Sequence, residues 1–552
     1  MSKNSWTDTG LSRTAANHDA LTPLTFLERA EYVFPDNVAV VYGSQSQTWK
    51  EHAAYCRKFA SALQQASIGT GDVVSLMMAN TPPMLAAHFA VPMAGGILNT
   101  INTRLDVATV AYILEHSEAK LIIADAEYLE TVRNALTLLP EAPRLIVYAD
   151  AEVGHTAADD VETFEDFLSE GRPEAFVHNI PDDEWSPISM NYTSGTTGRP
   201  KGVVYSHRGA YLSAVSNIVS WGVPRGAVYL WTLPLFHCNG WTMPWVVALQ
   251  GGKNVCLRKV DGEKIVSLIV SEAVTHYCGA PIVHGVIKDA ALSAGVRFNP
   301  PVAALIGGAP PPASLIAAMN EVGVSLTHIY GLTETYGPAS ICETHDAWMD
   351  FSAEERAKLM ARQGVRYALQ AGLTVMDPST MRPVPADGET IGEIMFRGNM
   401  TMMGYFKDPG ATAKAFAGGW FHSGDLAVLD ADGYARIKDR SKDIIISGGE
   451  NISSVEVEDA LYRHPSILTV AVVAMPDDRW GEVPVAFLEF REGATHSDAE
   501  LMQHCRQHLA SFKCPRRFVI ASIPKTATGK IQKNVLREMI IGLQSSENIA
   551  AR

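Results

Sequence analysis

Residues 192–202 combine the backbone and side chains that can hold a polyphosphate. They read Tyr-Thr-Ser-Gly-Thr-Thr-Gly-Arg-Pro-Lys-Gly. Glycine lets the backbone approach an anion closely and adopt positive φ angles, and the N–H groups of such a loop form an anion-binding concavity. The register differs from that of the P-loop, which ends in Gly-Lys-Ser/Thr. The residues that we assign to phosphate binding are Thr193, Ser194, Gly195, Thr196, Thr197, Gly198, Arg199 and Lys201.

Residues 330–334, which read Tyr-Gly-Leu-Thr-Glu, and Asp425 offer the other groups that a nucleotide needs. The ring of Tyr330 can stack on a purine, and Thr333 can hydrogen-bond a phosphate. Glu334 is an oxygen ligand of the kind that Mg²⁺ prefers. Asp425 ends the segment Trp-Phe-His-Ser-Gly-Asp, and its carboxylate can accept both hydroxyls of a ribose. Each feature alone also fits a buried tyrosine or a turn capped by aspartate.

Two more glycine-containing loops lie near the end of the chain. Residues 447–452 read Ser-Gly-Gly-Glu-Asn-Ile, and residues 524–530 read Pro-Lys-Thr-Ala-Thr-Gly-Lys. Together with the segments above, they resemble in order and spacing the motifs of the adenylate-forming superfamily. That superfamily comprises acyl-CoA synthetases, adenylation domains of peptide synthetases and beetle luciferases. The resemblance extends from about Leu24 to Leu536.

The resemblance implies an α/β fold in two domains. We expect a large N-terminal AMP-binding domain of mixed sheets flanked by helices over residues 1–440. A small, mobile α+β domain would follow over residues 441–552, with its hinge near Lys442. The C-terminal domain would rotate between two catalytic poses, a rigid-body switch of a known kind.

The resemblance also implies a role for each motif residue. Gly307, Gly308, Ala309 and Tyr330 would bracket the adenine, and Asp425 with Arg440 would hold the ribose. The cofactors implied are ATP, Mg²⁺ and coenzyme A, with Glu334 as the metal ligand. The implied catalytic residues are Lys530, His237, Thr333 and Glu334. The implied nucleotide-binding residues are Thr193, Ser194, Gly195, Thr196, Thr197, Gly198, Lys201, Gly307, Gly308, Ala309, Tyr330, Gly331, Thr333, Asp425, Arg440, Lys442, Gly448 and Gly449.

By resemblance, the reaction has two halves. A substrate carboxylate first attacks the α-phosphorus of ATP, which gives an acyl-adenylate and pyrophosphate; Lys530 would bridge the carboxylate and the α-phosphate. A thiol then attacks the acyl carbonyl and releases AMP, with the loop of residues 447–451 in place of Lys530. Negative charge concentrates in the transition state, so positioning and cations carry the catalysis.

Departures from the family pattern narrow the range of carboxylic acids expected as substrates. Peptide-synthetase adenylation domains place an acidic residue near residues 236–239, where this chain reads Phe-His-Cys-Asn, so an amino acid is disfavoured. Ile446 stands where luciferases and some aryl ligases carry a lysine. The closest resemblance is to plant-type acyl-activating enzymes and their bacterial relatives, which include 3-methylmercaptopropionyl-CoA ligases and short- and medium-chain acyl-CoA ligases.

His237 occupies the position of an aromatic gate for the CoA thiol arm. Trp241 lies four residues later, so on a helix it would share a face with His237 and shorten an acyl tunnel. We therefore expect a small, apolar, uncharged acid such as 3-methylmercaptopropionate or a short- or medium-chain fatty acid. The expected pocket residues are His237, Trp241, Gly279, Ala280, Gly307, Tyr336 and Gly337.

Three alternatives stay open at this point. The chain can be an aryl-acid CoA ligase of the benzoate or cinnamate type, or an acyl-AMP ligase that loads a carrier protein. It can also be a non-catalytic nucleotide-binding homologue, although Lys530, Glu334, Asp425 and Arg440 are all present.

Composition sets the broad class. The chain has 552 residues, 47% of them hydrophobic, and a net charge of −15, which argues against nucleic acid and anionic membrane as partners. Seven scattered cysteines fit a reducing compartment without a zinc site. Because no signal core, membrane span or peroxisomal address is recognisable, we expect a cytoplasmic protein, and the family resemblance implies a homodimer.

Hydrophobic periodicity predicts the strands and helices that carry the motif residues. Apolar, β-branched runs at Val38–Tyr42 and at 73–78, 121–124 and 188–192 predict strands, and Trp49–Gln65 and 82–94 predict helices. Alternation of strands and helices implies parallel sheet. We expect the phosphate-binding segment to lie between a strand and a helix that begins near His207, the context of helix-terminus anion sites. Asp432-Gly433 predicts a hairpin.

Overall fold

The computed structural model describes residues 11–156, 160–193, 199–309, 311–448, 450–477, 479–491, 493–494, 497–526 and 531–550. The strands are Val38–Tyr42 (β1), Gln45–Thr48 (β2), Val73–Met77 (β3), Ile97–Thr100 (β4), Ala119–Asp125 (β5), Arg144–Tyr148 (β6), Glu162–Thr163 (β7), Pro187–Thr193 (β8), Lys201–Ser206 (β9), Val228–Leu230 (β10), Lys253–Val255 (β11), His276–Gly279 (β12), Val302–Ile306 (β13), Val324–Leu332 (β14), Gly337–Ile341 (β15), Val365–Arg366 (β16), Gly372–Asp377 (β17), Arg382–Pro383 (β18), Gly392–Arg397 (β19), Gly404–Tyr405 (β20), Phe421–Leu429 (β21), Ala435–Arg440 (β22), Ile445–Ser447 (β23), Glu450–Ile452 (β24), Ile467–Asp477 (β25), Gly481–Phe490 (β26) and Arg517–Ile520 (β27).

Helices cover the faces of the sheets. They are Leu24–Val33 (α1), Trp49–Gln65 (α2), Pro82–Met93 (α3), Val107–His116 (α4), Leu129–Leu136 (α5), Phe164–Ser169 (α6), His207–Trp221 (α7), Met243–Leu249 (α8), Gly262–Ser271 (α9), Pro281–Ser293 (α10), Ala313–Glu321 (α11), Ala353–Met360 (α12), Pro409–Ala415 (α13), Ser454–Tyr462 (α14), Asp498–His508 (α15) and Lys533–Ala550 (α16).

Two large sheets dominate the N-terminal part. One has the strand order β16-β15-β14-β13-β12-β10-β11-β1-β2, and the other has the order β20-β9-β8-β4-β3-β5-β6-β7. Their central strands pair in parallel, whereas antiparallel pairs occur toward the ends. Parallel strands covered by helices on both faces read as continuous apolar runs. All five residues of β3 are accordingly buried, and α3 beside it is buried all round.

Smaller sheets complete the chain. An antiparallel sheet of order β18-β17-β19-β21-β22 follows the large sheets in sequence, and Gly433 turns between β21 and β22 with φ of 82°. The last sheet has the order β24-β23-β26-β25, with β27 parallel to β26. Its apolar residues form clusters of their own between Ile445 and Ile540. The predicted α/β fold class is confirmed, and the boundary at residues 440/441 stays a prediction.

The phosphate-binding segment differs from the predicted strand–loop–helix context. Residues 201–206 form β9, which pairs antiparallel with β8 and brings Thr193 opposite Lys201. The loop therefore connects two strands, and α7 begins only after Ser206, whose hydroxyl accepts a hydrogen bond from the Gly209 N–H. The predicted helix start near His207 is confirmed, but the strand β9 before it was missed; Val203, Val204 and Tyr205 favour a strand.

Candidate functional site

The candidate site lies where parallel strands of the nine-stranded sheet end. Gly279 ends β12 and Gly307 follows β13, and the Gly307 N–H donates to the Gly279 carbonyl over 3.2 Å. Gly308 has φ of 84°, and both Gly308 and Ala309 are exposed. Ligands of α/β sheets bind at the carboxyl ends of the strands. The structure thus places Gly307, Gly308 and Ala309 in a position suited to a ligand.

Tyr330, Asp425 and Arg440 form one polar group, in which Asp425 is buried and the other two are half-buried. Asp425 and Arg440 are register partners on β21 and β22, and Arg440 Nε lies 3.0 Å from Asp425 Oδ1. The Tyr330 hydroxyl donates to Asp425 Oδ2 over 2.5 Å. Burial, followed by the Asp425 charge, holds the pKa of Tyr330 well above its usual range, so the phenol stays a donor. Asp425 Oδ1 is buried without a hydrogen bond of good geometry. The carboxylate therefore keeps acceptor capacity, which a ribose hydroxyl would satisfy.

Glu334 and Lys201 meet at Tyr405, a residue that the sequence reasoning missed. The Tyr405 hydroxyl donates to Glu334 Oε1 over 2.9 Å, and Lys201 Nζ lies 4.7 Å from the centre of the Tyr405 ring. The Thr333 carbonyl accepts from the Tyr205 hydroxyl over 2.8 Å. The Glu334 carboxylate fits Mg²⁺, which usually binds one or two protein carboxylates and substrate phosphates, and Lys201 offers a cation for those phosphates. Among the described residues no cluster of three or more His, Cys, Asp or Glu side chains could hold a metal alone.

Trp241 lies between Gly307 and Gly337, two of the residues expected to line the acyl pocket. A Cβ atom at Gly337 would lie 2.9 Å from Trp241 Cδ1, and one at Gly307 would lie 3.2 Å from Trp241 Cη2. Trp241 itself is 5% exposed. Tyr336 forms the adjoining wall; it stacks on the ring of Tyr205 with 3.6 Å between centroids. Ala280 precedes α10 next to Gly279.

The prediction that His237 and Trp241 share a helix face was wrong. Residues 238–242 form a left-handed turn in which Cys238, Asn239, Gly240, Trp241 and Thr242 have φ angles of 40°, 40°, 61°, 51° and 61°. The left-handed conformation costs roughly 1–2 kcal/mol per non-glycine residue, so surrounding contacts must hold it. The indole direction is therefore set by this turn and not by α-helical periodicity.

His237 lines a cavity of about 60 Å³. Cys238, Thr333 and Thr100 line the same cavity, so the predicted gate residue and the predicted phosphate contact are brought together. Burial raises the pKa of Cys238 to about 12, which keeps its thiol protonated. The cavity gives His237 a place beside the end of β8, where the phosphate-binding segment begins.

The remaining predicted residues belong to the C-terminal part or lie outside the described residues. Burial lowers the pKa of Lys442, and the Lys442 carbonyl accepts from Arg537 over 3.3 Å. Gly448 has φ of 62°, and a Cβ atom there would lie 2.8 Å from the Trp480 ring. Gly331 is on β14, where a Cβ would clash with the Gly337 carbonyl. The residues outside the described part of the chain are Ser194, Gly195, Thr196, Thr197, Gly198, Gly449 and Lys530.

Comparison with protein families now identifies the chain. A model of the AMP-binding enzyme family matches residues 27–406, and a model of the AMP-binding enzyme C-terminal domain matches residues 456–530. The chain belongs to the AMP-binding enzyme family. Among the named relatives, a peroxisomal acetate/butyrate–CoA ligase of Arabidopsis thaliana is 46% identical over 97% of this chain and 98% of its own length. An acetate–CoA ligase of Humulus lupulus is 48% identical over 96% of each chain. A peroxisomal trans-cinnamate:CoA ligase of Petunia hybrida is 45% identical over 96% of this chain and 95% of its own length.

Solved structures agree with this family membership. The o-succinylbenzoate CoA synthetase of Bacillus subtilis, in complex with its acyl-adenylate, matches with a TM-score of 0.78 and 26% identity. The match covers 93% of this chain and 97% of that one. This AMP-binding enzyme is an acid–thiol ligase that uses ATP, Mg²⁺ and CoA. Over the described residues, none of its helices combines the length and apolarity of a membrane span.

Proposed function

We propose that this AMP-forming ligase activates a small apolar carboxylic acid and transfers it to CoA. The observation that carries the proposal is the buried Trp241 indole, which lies against both Gly307 and Gly337, where we place the closed end of the acyl pocket. A buried indole leaves little depth for an acyl chain. Short- and medium-chain fatty acids and 3-methylmercaptopropionate fit this description.

The names of the relatives support the same size class. The acetate/butyrate–CoA ligase and the acetate–CoA ligase are named for short acids. The name of the trans-cinnamate:CoA ligase supports a compact aryl acid as the alternative substrate. An apolar pocket separates acids that differ by one methylene by only about 1–3 kcal/mol, so the acid must be found by assay.

We assign the nucleotide to the edge formed by β13, β14 and β21. Gly307, Gly308 and Ala309 would flank the adenine, and the free acceptor capacity of Asp425 would take the ribose hydroxyls. Arg440 pairs with this carboxylate and holds it in place through a contact of 3.0 Å. Preorganised groups of this kind need no rearrangement as charge develops.

We assign the phosphates to the space between Lys201 and Thr333. Mg²⁺, when bound at Glu334, supplies charge neutralisation at the phosphate oxygens. Tyr405 orients the Glu334 carboxylate through a hydrogen bond of 2.9 Å. Tyr205 holds the Thr333 backbone through a hydrogen bond to its carbonyl.

We assign the thiol approach to the cavity beside His237. Its ring is half-buried, so it can change rotamer without unfolding the turn that follows. His237 would act as a gate and would not form a covalent bond with the acyl group. Lys530 and the loop of residues 447–451 would alternate at the site as the C-terminal part rotates about Lys442.

The test is acyl-chain selectivity after Trp241→Ala. We expect kcat/KM for octanoate relative to butyrate to rise roughly 10-fold or more, because removing the indole opens the end of the pocket. CoA-dependent AMP release is measured with a C2 to C10 series. Trp185→Ala is the matched control, since Trp185 is 48% exposed and lies before β8, apart from the residues of the pocket. An unchanged chain-length preference in Trp241→Ala would refute the proposal that the indole limits the length of the acyl chain.

A further inference from the structure

The left-handed turn that carries Trp241 is held by buried side-chain amides. Asn239, at its centre, is completely buried. Its N–H donates to Asn191 Oδ1 over 2.6 Å, and its Nδ2 donates to Thr100 Oγ1 over 3.0 Å. Its Oδ1 accepts from the Ser189 hydroxyl over 2.7 Å. Both ends of the Asn239 amide are therefore satisfied by neighbouring strands.

Asn217 holds the far end of the same turn. Its Nδ2 donates to the Trp241 carbonyl and to Thr242 Oγ1, each over 3.0 Å. Asn217 is 2% exposed and belongs to α7. Four consecutive peptide units in the left-handed region are thus clamped from β8 on one side and from α7 on the other.

The Asn239 amide also joins the two walls of the acyl pocket. Ser189 Oγ lies 2.8 Å from the Tyr336 hydroxyl. Because the Ser189 hydrogen points to Asn239, the Tyr336 hydroxyl is the donor in this second bond. A directed chain therefore runs from Tyr336 through Ser189 to Asn239. Tyr336 precedes Gly337, which touches one side of the Trp241 indole.

We propose that Asn239 is a positioning residue for acyl-chain selection, and that its amide keeps the Trp241 indole seated across Gly307 and Gly337. The inference rests on the proposed function, in which Trp241 closes the pocket. Asparagine suits this place for two reasons. It tolerates the left-handed conformation better than other non-glycine residues, and its amide can donate and accept at once.

The first variant is Asn239→Gly, which keeps the left-handed backbone accessible but removes the amide. The second is Asn239→Asp, which keeps the shape but turns the donor toward Thr100 into an acceptor. The Thr100 hydroxyl already donates to the Phe236 carbonyl, so the new contact is repulsive. We expect kcat/KM for octanoate relative to butyrate to rise at least about fivefold in both variants, with the KM for ATP within about twofold of wild type.

A double-mutant cycle separates positioning from general destabilisation. In the Trp241→Ala background, Asn239→Gly should leave the octanoate-to-butyrate ratio unchanged, because the indole through which it acts is gone. Asn254→Asp is the matched control. Asn254 is also a buried asparagine bonded at both amide ends, but on β11. It should lower the melting temperature without changing the ratio.

Several results would overturn the inference. An equal fall in kcat/KM for all acids assigns Asn239 a structural role only. The same conclusion follows if the effect of Asn239→Gly on the ratio is undiminished in the Trp241→Ala background.

If neither Asn239 variant is soluble, Ser189→Ala tests the same chain of hydrogen bonds. It should raise the ratio in the same direction, and an unchanged ratio in soluble Ser189→Ala refutes the inference. A wild type without CoA-dependent turnover of any C2 to C10 acid refutes the proposed function and this inference together. If the wild type discriminates acids by chain length and the Asn239 variants keep its octanoate-to-butyrate ratio, the inference alone is refuted.

Discussion

Asp425 faces one protein group with each carboxylate oxygen, and its Oδ1 keeps acceptor capacity for a ligand. Its Oδ2 accepts from Tyr330, and its Oδ1 lies beside Arg440 without a well-formed hydrogen bond. A buried acceptor left in this state is costly unless a ligand completes it. The residue is therefore best explained as part of the nucleotide site.

Asp425→Asn tests this assignment. The variant loses a charge-assisted acceptor worth about 1.5–3 kcal/mol, so the KM for ATP should rise roughly 10- to 100-fold. The KM for ATP is measured from pyrophosphate release at varied ATP concentrations. Asp387→Asn, in an exposed turn, should leave the KM for ATP unchanged. An unaltered KM for ATP in Asp425→Asn would disprove the ribose assignment.

Motif residues with charged or hydroxyl groups were predictable from the sequence, and their supporting partners were not. Asp425 and Arg440 stand in recognisable segments, and the structure makes them register partners. Tyr405 sits far from Glu334 and Lys201 in sequence, and only the pairing of β20 with β9 brings it there. Contacts between residues so far apart leave no local pattern to read.

The left-handed turn of residues 238–242 is the element that sequence periodicity misread. Its only local signal is Asn239-Gly240, a pair that tolerates positive φ. The cost at Cys238, Trp241 and Thr242 is offset by amides from β8 and α7, which lie elsewhere in the chain. By contrast, α2, with its helical spacing, and β3, a continuous apolar run, formed where the apolar pattern predicted them.

Lys530, outside the described residues, offers the test of the predicted alternating poses of the C-terminal part. Lys530→Ala should abolish acyl-adenylate formation, because the cation that bridges the carboxylate and the α-phosphate is lost. It should largely spare thioester formation from supplied acyl-adenylate. Single-turnover assays of each half-reaction measure the two steps. Equal loss of both steps would contradict the rotation of the C-terminal part.

At the scale of the whole molecule, all seven cysteines are buried and unpaired. Burial raises the pKa of Cys238 and Cys505 to about 12, which leaves a thiolate fraction on the order of 10⁻⁴ at pH 8. We expect fewer than about one thiol to react with a chromogenic disulfide in the native protein at pH 8, and all of them to react in guanidinium chloride. Rapid native reaction accompanied by loss of activity would show an accessible thiol at the site.

Family membership shows an AMP-forming CoA ligase, and the acyl pocket and nucleotide edge that we propose lead to one central claim, a CoA-dependent ligase for small apolar acids. Two of the named relatives are called peroxisomal, and the cytoplasmic location expected from the sequence stays a prediction.

The most direct measurement is AMP and pyrophosphate release with ATP, Mg²⁺ and a panel of acids, with and without CoA. The panel holds C2 to C10 fatty acids, 3-methylmercaptopropionate, benzoate, cinnamate and several amino acids. We predict turnover that requires CoA and is greatest for small apolar acids. Turnover without CoA, or a preference for amino acids or long chains, would contradict the account.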